Sequence, residues 1–269
     1  PAPAGATLSR QQVQDRLDAL RTTLAVDADP GRVAIVLTSR REQLPQAVAL
    51  VGELLRAPAF PADAFAEYRR LTHAAIEERR KEPEALAALA VQRAGNPYPA
   101  GDPRHVATFD ERIAAVDALT VDALRDFHRR FYGAQQAIFA AVGDFDPAAV
   151  RSAVNAALTG LPGDAPHARI PTPYVATPTL QQQIATPDKQ NATFVARLAL
   201  PLSDDHPDHA ALLVADYLLG GGGTSRLWMR IRETEGLSYD VRTRTAWGTL
   251  DENSIWQASA IFAPQNRAK

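Results

Sequence analysis

The sequence predicts an α+β fold in which antiparallel sheets carry helices packed on one face. Apolar residues recur at helical spacing through most of the first 160 positions. Short apolar runs bounded by turn residues come in adjacent pairs, near the start of the chain and again at its end. Adjacent runs favour antiparallel pairing, because two parallel strands need a long crossover between them.

The chain opens with a helix followed by a hairpin. Ser9 and the Gln three positions later form a capping box, in which each side chain bonds an orphan amide of the other residue. We expect that helix to reach about Leu20. Apolar runs at 24–26 and 33–37 flank a Pro-Gly turn and predict two paired strands.

Six further helices and one strand are expected before position 160. Thr120 and Asp146 stand as N-caps, and Pro147 suits a first helical turn. The predicted helices cover 44–55, 63–80, 84–94, 109–116 and 121–131, and a sixth begins at 146. The apolar run Ala137–Val142, ended by Gly143, predicts a buried strand.

The clearest boundary in the chain is rich in proline. Six prolines and no helical period lie between Gly160 and Pro187, which is typical of an extended linker. We therefore divide the chain into 1–160, a linker at 161–187, and 188–269. The last region is predicted to contain strands at 193–200, 237–247 and 254–262 and helices at 208–219 and 225–233. Because no element covers its final strand, we expect this second module to be truncated.

Composition excludes several classes of function. The 269 residues carry a net charge of -2, which gives no electrostatic footprint for nucleic acid or for an anionic membrane. No apolar run approaches the roughly 20 residues that span a bilayer. With no cysteine, disulfides and thiolate zinc sites are excluded. Residues 1–6 lack the basic start and the apolar core of a signal peptide. The sequence assigns no compartment, and a periplasmic or other extracytoplasmic location is compatible with it.

Two groups of motifs carry a resemblance to a known family. The first is NPY at 96–98, DALT at 117–120, FHRRFY at 127–132 and VGDFD at 142–146; the second is LGGGGTSRL at 219–227 and RETEGLSY at 232–239. The first group resembles the later half of a module of the insulinase/pitrilysin-type zinc metallopeptidases, which include proteins like the mitochondrial processing peptidase. The second resembles the early half of the following, non-catalytic module. The resemblance covers about residues 8 to 262.

Members of that family resemble clamshells, with paired α+β modules around a peptide chamber. Their zinc is held by a His-x-x-Glu-His helix and by a Glu on a later helix, since imidazoles one turn apart face the same side. None of the six histidines here (73, 105, 128, 167, 206 and 209) lies in such a motif, which in the family pattern precedes Ser9.

The family helix that carries the third zinc ligand aligns with the region of Ile76. This alignment places Ala75 at the ligand position and Tyr68 at an earlier Glu, while a shift of two positions would bring Glu77 to the ligand position. A methyl group has no lone pair to donate. We therefore predict no metal ligands and no catalytic residues in this chain alone, with zinc expected only in a catalytic partner module. His73, close to this position, is not assigned as a ligand.

The resemblance implies two site features in the second module. Arg232 and Tyr239 match an Arg and a Tyr that face the zinc across the chamber, where they donate to the scissile carbonyl. The alternative interpretation is structural: Arg232 would interact favourably with the dipole at a helix C-terminus, and Tyr239 would be a half-buried residue of a strand. Gly220, Gly221, Gly222 and Gly223 match a loop that lines the chamber. A phosphate-binding loop is disfavoured, because the Lys of that motif is missing.

The remaining candidates have structural interpretations. We interpret His206 and His209 as surface histidines at a helix start, and the tryptophans at 228, 247 and 256 as core residues.

The resemblance implies a non-catalytic portion of a zinc metalloendopeptidase, forming chamber wall and substrate-positioning surface. Its partners would be a catalytic peptidase module, in cis or in trans, and a peptide substrate. The alternative is an inactive peptidase-like scaffold or assembly subunit, which Ala75 favours. Uncovered sheet edges further predict that the two halves pack together or that the chain self-associates.

Overall fold

The computed structural model describes residues 8–29 and 31–267. The predicted absence of a signal peptide at residues 1–6, and Pro30 of the predicted turn, lie outside the described residues. The helices are α1 (Arg10–Ala19), α2 (Leu44–Arg56), α3 (Ala62–Arg79), α4 (Pro83–Ala94), α5 (Phe109–Ala118), α6 (Val121–Phe131), α7 (Pro147–Leu158) and α8 (His209–Asp216). The strands are β1 (Thr23–Asp29), β2 (Arg32–Thr38), β3 (Ala192–Leu200), β4 (Ser238–Ala246) and β5 (Ser254–Phe262). Two π-helical segments, π1 (Tyr217–Gly221) and π2 (Trp228–Thr234), follow α8, and a short 3₁₀ turn ends the described chain.

The helices with predicted caps at Ser9, Thr120 and Asp146 begin where the sequence places them. The Gln12 amide donates to Ser9 Oγ at 3.2 Å, and the Ser9 amide donates to the Gln12 side chain at 2.9 Å, so the capping box is present. Thr120 accepts from the Ala123 amide at 3.1 Å. Asp146 accepts from the first amides of α7. The predicted antiparallel α+β class is confirmed.

The described chain forms two compact units, and the first comprises the chain up to Arg70 together with Asp117–Arg169. Its centre is the contact of α2 with α7. A Cβ added to Gly52 would lie 2.6 Å from Ala157 Cα, so the missing side chain lets the two backbones meet. Val48 and Leu50 of α2 and Val150 of α7 are buried. The predicted hairpin is present as β1 and β2, paired from Thr23↔Thr38 to Asp29↔Arg32.

The predicted buried strand at Ala137–Val142 is wrong. This segment has no strand pairing in the structure, and Ile138 is 96% exposed while Val142 is fully exposed. An apolar run forms a strand only when a neighbouring strand supplies hydrogen-bond partners. No strand among the described residues pairs with this segment, so its composition alone does not make it a strand.

The second unit comprises Leu71–Val116 and the chain from Ile170. Its sheet is antiparallel with the order β3-β5-β4, so the last strand lies in the middle. The helical segments α8, π1 and π2 contact β4, and α4 contacts β3. Val241, Thr243 and Ser254 are buried in the sheet.

The predicted helices at 208–219 and 225–233 are found at those positions, but much of their length is π-helical. π-helical turns of this kind often occur at functional sites.

Residues 161–186 contain neither helix nor strand. The two compact units are defined by which residues contact each other. The division into 1–160, 161–187 and 188–269 instead assigns each segment to one module of the family, and it stays a prediction. None of the helices in the described ranges is long and apolar enough to cross a bilayer.

Candidate functional site

The structure brings Arg232 and Tyr239 together. Arg232 lies in the last turn of π2, and Tyr239 is the second residue of β4. The connecting turn is closed by the Leu237 amide, which donates to the Ile231 carbonyl at 2.9 Å. Gly236 has φ +61° in this turn, a conformation that glycine adopts without steric cost. As a result, Arg232 Cζ lies 5.3 Å from the centroid of the Tyr239 ring.

Aromatic contacts orient the Arg232 guanidinium. Its Cζ lies 4.1 Å from the Trp228 ring centroid, one helical turn earlier, as well as near the Tyr239 ring. A guanidinium over an aromatic face is attracted by the quadrupole of the ring. The side chain is 35% exposed, and its Nε lies 3.6 Å from Glu233 Oε1. Two rings therefore restrict the guanidinium while leaving part of it accessible to solvent.

Tyr239 is the extra residue of a β-bulge. Ser238 pairs with Phe262 and Asp240 pairs with Ile261, so Tyr239 has no partner on β5. The buried Ser238 Oγ lies 2.7 and 2.8 Å from the carbonyl oxygens of Asp240 and Ile261 and fixes the bulge. The Tyr239 side chain is 78% exposed. Bulges redirect side chains and are common beside active sites, and here the bulge turns a phenol toward solvent instead of into the sheet.

The glycine segment has a packing role at its start. A Cβ on Gly220 would lie 2.6 Å from Thr243 Cγ2 and 2.8 Å from the Thr243 nitrogen, so only glycine lets π1 lie this close to β4. A Cβ on Gly222 would lie 3.0 Å from the Tyr217 ring. Gly221 is exposed and Gly223 has open space around it. Close approach of two backbone segments is therefore the role of Gly220.

Asp216 was not identified from the sequence, although it fastens the helical layer to the sheet. Its carboxylate accepts from the indole Nε1 of Trp256 at 3.0 Å and from the Thr245 amide at 3.0 Å. Its carbonyl accepts from Thr243 Oγ1 at 3.2 Å. An aspartate near the end of a helix gives no sequence signal for this role, because its partners lie 27 to 40 positions later.

The chemistry of the described residues does not fit a zinc site. Ala75 lies exposed on α3, and no group of three or more His, Asp or Glu side chains that could hold a metal occurs within 8–29 and 31–267. His206 Nδ1 accepts from the Asp208 amide at 3.2 Å, and His209 makes an edge contact with Trp247 at 4.4 Å. These contacts agree with the structural interpretation of the two histidines.

The NPY motif shapes an irregular loop of the second unit. Asn96 donates to the Arg104 carbonyl at 2.9 Å and accepts from the Val106 amide at 3.3 Å. Arg104 stacks on the Tyr98 ring at 3.9 Å and binds the Asp102 carboxylate through two of its guanidinium nitrogens, Nε and Nη2. The Arg104 side-chain and amide hydrogen bonds lower the pKa of Asp102 to about 2.

His105 and Glu111 form a hydrogen-bonded pair beside this loop. His105 Nδ1 lies 2.9 Å from the Tyr98 carbonyl, and Nε2 lies 3.2 Å from Glu111. The Tyr98 carbonyl and then Glu111 raise the pKa of His105. The Thr108 amide, followed by the His105 ring, lowers the pKa of Glu111 to about 2. The hydrogen bonds of this pair to the main chain at Tyr98 and Thr108 therefore connect the two ends of the loop.

Comparisons with known proteins agree with this fold. Residues 118–269 match the family described as the peptidase M16 inactive domain. The non-peptidase homolog YmxG of Helicobacter pylori is 24% identical over 224 residues, which cover 83% of this chain and 50% of that protein. An uncharacterized zinc protease of Streptomyces coelicolor is 30% identical over 141 residues, covering 50% of this chain and 30% of that protein. The chain thus spans half or less of the length of these curated relatives.

A solved structure shares the fold. The crystal structure of a peptidase M16 inactive domain from Pseudomonas fluorescens superposes with a TM-score of 0.74 at 22% identity, covering 95% of this chain and 61% of that one. The fold agrees over nearly all of the chain, and the family match extends over more than half of it. The resemblance to insulinase/pitrilysin-type peptidases is thereby confirmed: the chain belongs to the family described as the peptidase M16 inactive domain, a non-catalytic, peptidase-like module.

Proposed function

We propose that this chain forms a wall of a peptide chamber and positions the substrate for hydrolysis by a catalytic module, present in the same polypeptide or in a partner. The observation that carries this proposal is the placement of Arg232 and Tyr239. Both side chains project from an element junction, neither fills the core, and they lie next to each other. The zinc that activates water would belong to the catalytic module.

The chemistry of the pair suits a developing oxyanion. As a peptide carbonyl is attacked, negative charge grows on its oxygen, and preorganised donors stabilise that charge. The Tyr239 hydroxyl and the Arg232 guanidinium both donate hydrogen bonds. Because Trp228 and Tyr239 restrict the guanidinium, little reorganisation is needed when the charge develops.

An inactive scaffold or assembly subunit is the second candidate. It is favoured by Ala75, which supplies no ligand, and by the name of the Helicobacter relative, which is described as a non-peptidase homolog. The two functions differ in one outcome. In a scaffold, substitution of Arg232 or Tyr239 would change only stability or would have no effect. In a substrate-positioning wall, the same substitutions would lower turnover.

The test compares Tyr239→Phe with Tyr174→Phe in the full-length protein, or in the pair reassembled with its catalytic module. Turnover and KM are measured on an unstructured, uncharged peptide, and thermal unfolding is measured on the same samples. Tyr239→Phe is expected to lower kcat about 100- to 1000-fold, or roughly 3–4 kcal/mol, with little change in Tm, because the ring is retained. Tyr174→Phe removes the same atom from the 161–187 segment and is expected to change neither quantity.

Arg232→Lys keeps the charge but loses the planar fork, so it is also expected to lower kcat. A Tyr239→Phe protein that loses several kcal/mol of stability while keeping its turnover per folded molecule would show that the tyrosine is structural. The scaffold function would then be preferred.

A further inference from the structure

The two faces of the β3-β5-β4 sheet differ in chemistry. Side chains of directly paired residues project to the same face of an antiparallel sheet, and alternate residues along a strand project to opposite faces. One face contains Val241, Thr243 and Trp256, the side on which Asp216 binds. The register places Arg197, Gln257 and Arg244 in one row across the other face.

A third arginine lies on the same face. The adjacent row consists of Val195, Ser259 and Arg242. Two neighbouring rows therefore carry three arginines together with a glutamine and a serine. We call this surface the arginine face and define it by Arg197, Arg242, Arg244, Gln257 and Ser259.

Two of these arginines have no counter-charge. Arg242 is paired with Asp240 at 2.8 Å. Arg197 and Arg244 make no hydrogen bond and no ion pair with any residue within 8–29 and 31–267. Arg244 is exposed, whereas Arg197 is half-buried, and desolvation lowers the pKa of its guanidinium. A half-buried guanidinium without a partner is costly, because buried charges are normally paired.

An unsatisfied hydroxyl converges with Arg197. Thr177 Oγ1 is buried and has no hydrogen-bond partner. A Cβ added to Gly95 would lie 2.7 Å from Thr177 Oγ1 and 3.0 Å from Arg197 Nη1, so both polar groups border the same small space. A guanidinium fork beside a hydroxyl donor is the arrangement that binds a carboxylate.

We propose that the arginine face binds acidic peptide segments, with carboxylate side chains seated at Arg197 and Arg244. This proposal rests on the proposed substrate-positioning function and names the class of substrate. The two guanidinium-bearing positions are separated by two strand spacings, about 10 Å at the Cα atoms. Two separated positive sites favour a chain that carries several carboxylates over a single small anion, because the second contact is then made at high effective concentration.

The test measures binding of two fluorescently labelled ten-residue peptides to the full chain by anisotropy. One peptide alternates Glu with Ser, and the other alternates Gln with Ser. The variants are Arg197→Gln, Arg244→Gln and the double substitution, with Arg10→Gln on α1 as the charge-matched control. Arg197→Lys keeps the charge without the fork, and thermal unfolding verifies that each variant is folded.

The glutamate peptide is expected to bind more tightly than the glutamine peptide, and the double variant to lose about tenfold of that affinity. Arg10→Gln should lose none of it. The affinity should weaken as salt rises from about 50 to 500 mM, because added ions screen exposed charges. Equal affinity for the two peptides, or undiminished affinity of the double variant for the glutamate peptide, would overturn the proposal.

Inorganic polyphosphate serves as a second anionic probe. If it binds more tightly than the glutamate peptide and loses its affinity in the double variant, the ligand is a phosphate polymer and the acidic-peptide assignment is wrong. A failure of the proposed substrate-positioning function would be detected in a different experiment from the peptide-binding measurement. It would appear as unchanged turnover of the uncharged peptide by Tyr239→Phe, whatever the arginine face binds.

Discussion

Replacing Asp216 with Ala tests how the helical layer is held to the sheet that carries Tyr239. The substitution removes a carboxylate that accepts from Trp256 Nε1 and from the Thr245 amide, each at 3.0 Å. The hydrogen bond that the Thr243 hydroxyl donates to the main-chain carbonyl of residue 216 is retained. The experiment therefore isolates two hydrogen bonds to one charged acceptor.

The expected loss follows from the number and the burial of these bonds. A hydrogen bond to a charged group contributes about 1.5–3 kcal/mol, and a buried donor left unpaired costs a further amount of about 1–3 kcal/mol. Asp216 and Trp256 are only half-buried, so water can partly replace the lost acceptor. We expect Asp216→Ala to lower the free energy of unfolding by about 2–4 kcal/mol.

The assay is urea unfolding followed by far-UV circular dichroism, which does not depend on the tryptophan signal. Asp204→Asn, on an exposed turn, is the control and is expected to change stability by less than about 0.5 kcal/mol. A double-mutant cycle with Trp256→Phe should give a coupling energy of about 1–2 kcal/mol, because the two residues share one bond. A change for Asp216→Ala as small as that of the control would refute this account of the attachment.

Three further predictions concern packing, pH and association. Gly220→Ala is expected to lower the free energy of unfolding by about 1–3 kcal/mol through overpacking, whereas Gly223→Ala, with open space around it, should have almost no effect; urea titration compares them. The raised pKa of His105 means that its contribution is complete below its unfolded pKa, near 6.5, and is lost as pH rises through the folded value. The lowered pKa of Glu111 means that its contribution to stability is present above about pH 4.5 and is lost as pH falls toward 2. The Tm difference between wild type and His105→Gln should therefore be largest between about pH 4.5 and 6.5 and should shrink toward pH 9. Ile138→Lys, at a 96% exposed position, should reduce self-association measured by sedimentation velocity, and unchanged association would exclude this segment from the contact.

Features that depend on neighbours in sequence could be predicted. The capping box at Ser9, the cap at Thr120 and the Asp146 helix start depend on residues within a few positions of each other, and each is present. The antiparallel pairing of the final two strands also follows from adjacent apolar runs. The motifs shared with the peptidase family placed Arg232 and Tyr239 at the junction where they are found.

Features that depend on distant partners could not be predicted. The apolar run at 137–142 looks like a buried strand, but the described residues offer it no pairing strand. The bulge at Tyr239 is a property of the register between β4 and β5, which a single strand does not encode. Asp216 and the unpaired Arg197 acquire their meaning from residues that approach them only after folding.

Metal analysis combined with a peptidase assay on the isolated chain tests the central claim, that this chain is a non-catalytic member of a peptidase family. Zinc per chain would be measured after dialysis against zinc-containing buffer, and hydrolysis of an unstructured peptide would be followed with and without a chelator. We predict zinc well below one equivalent and no chelator-sensitive hydrolysis, because the family alignment places Ala75 at the ligand position and the described residues form no metal-binding cluster. About one tightly bound zinc per chain, together with hydrolysis abolished by the chelator, would contradict the account.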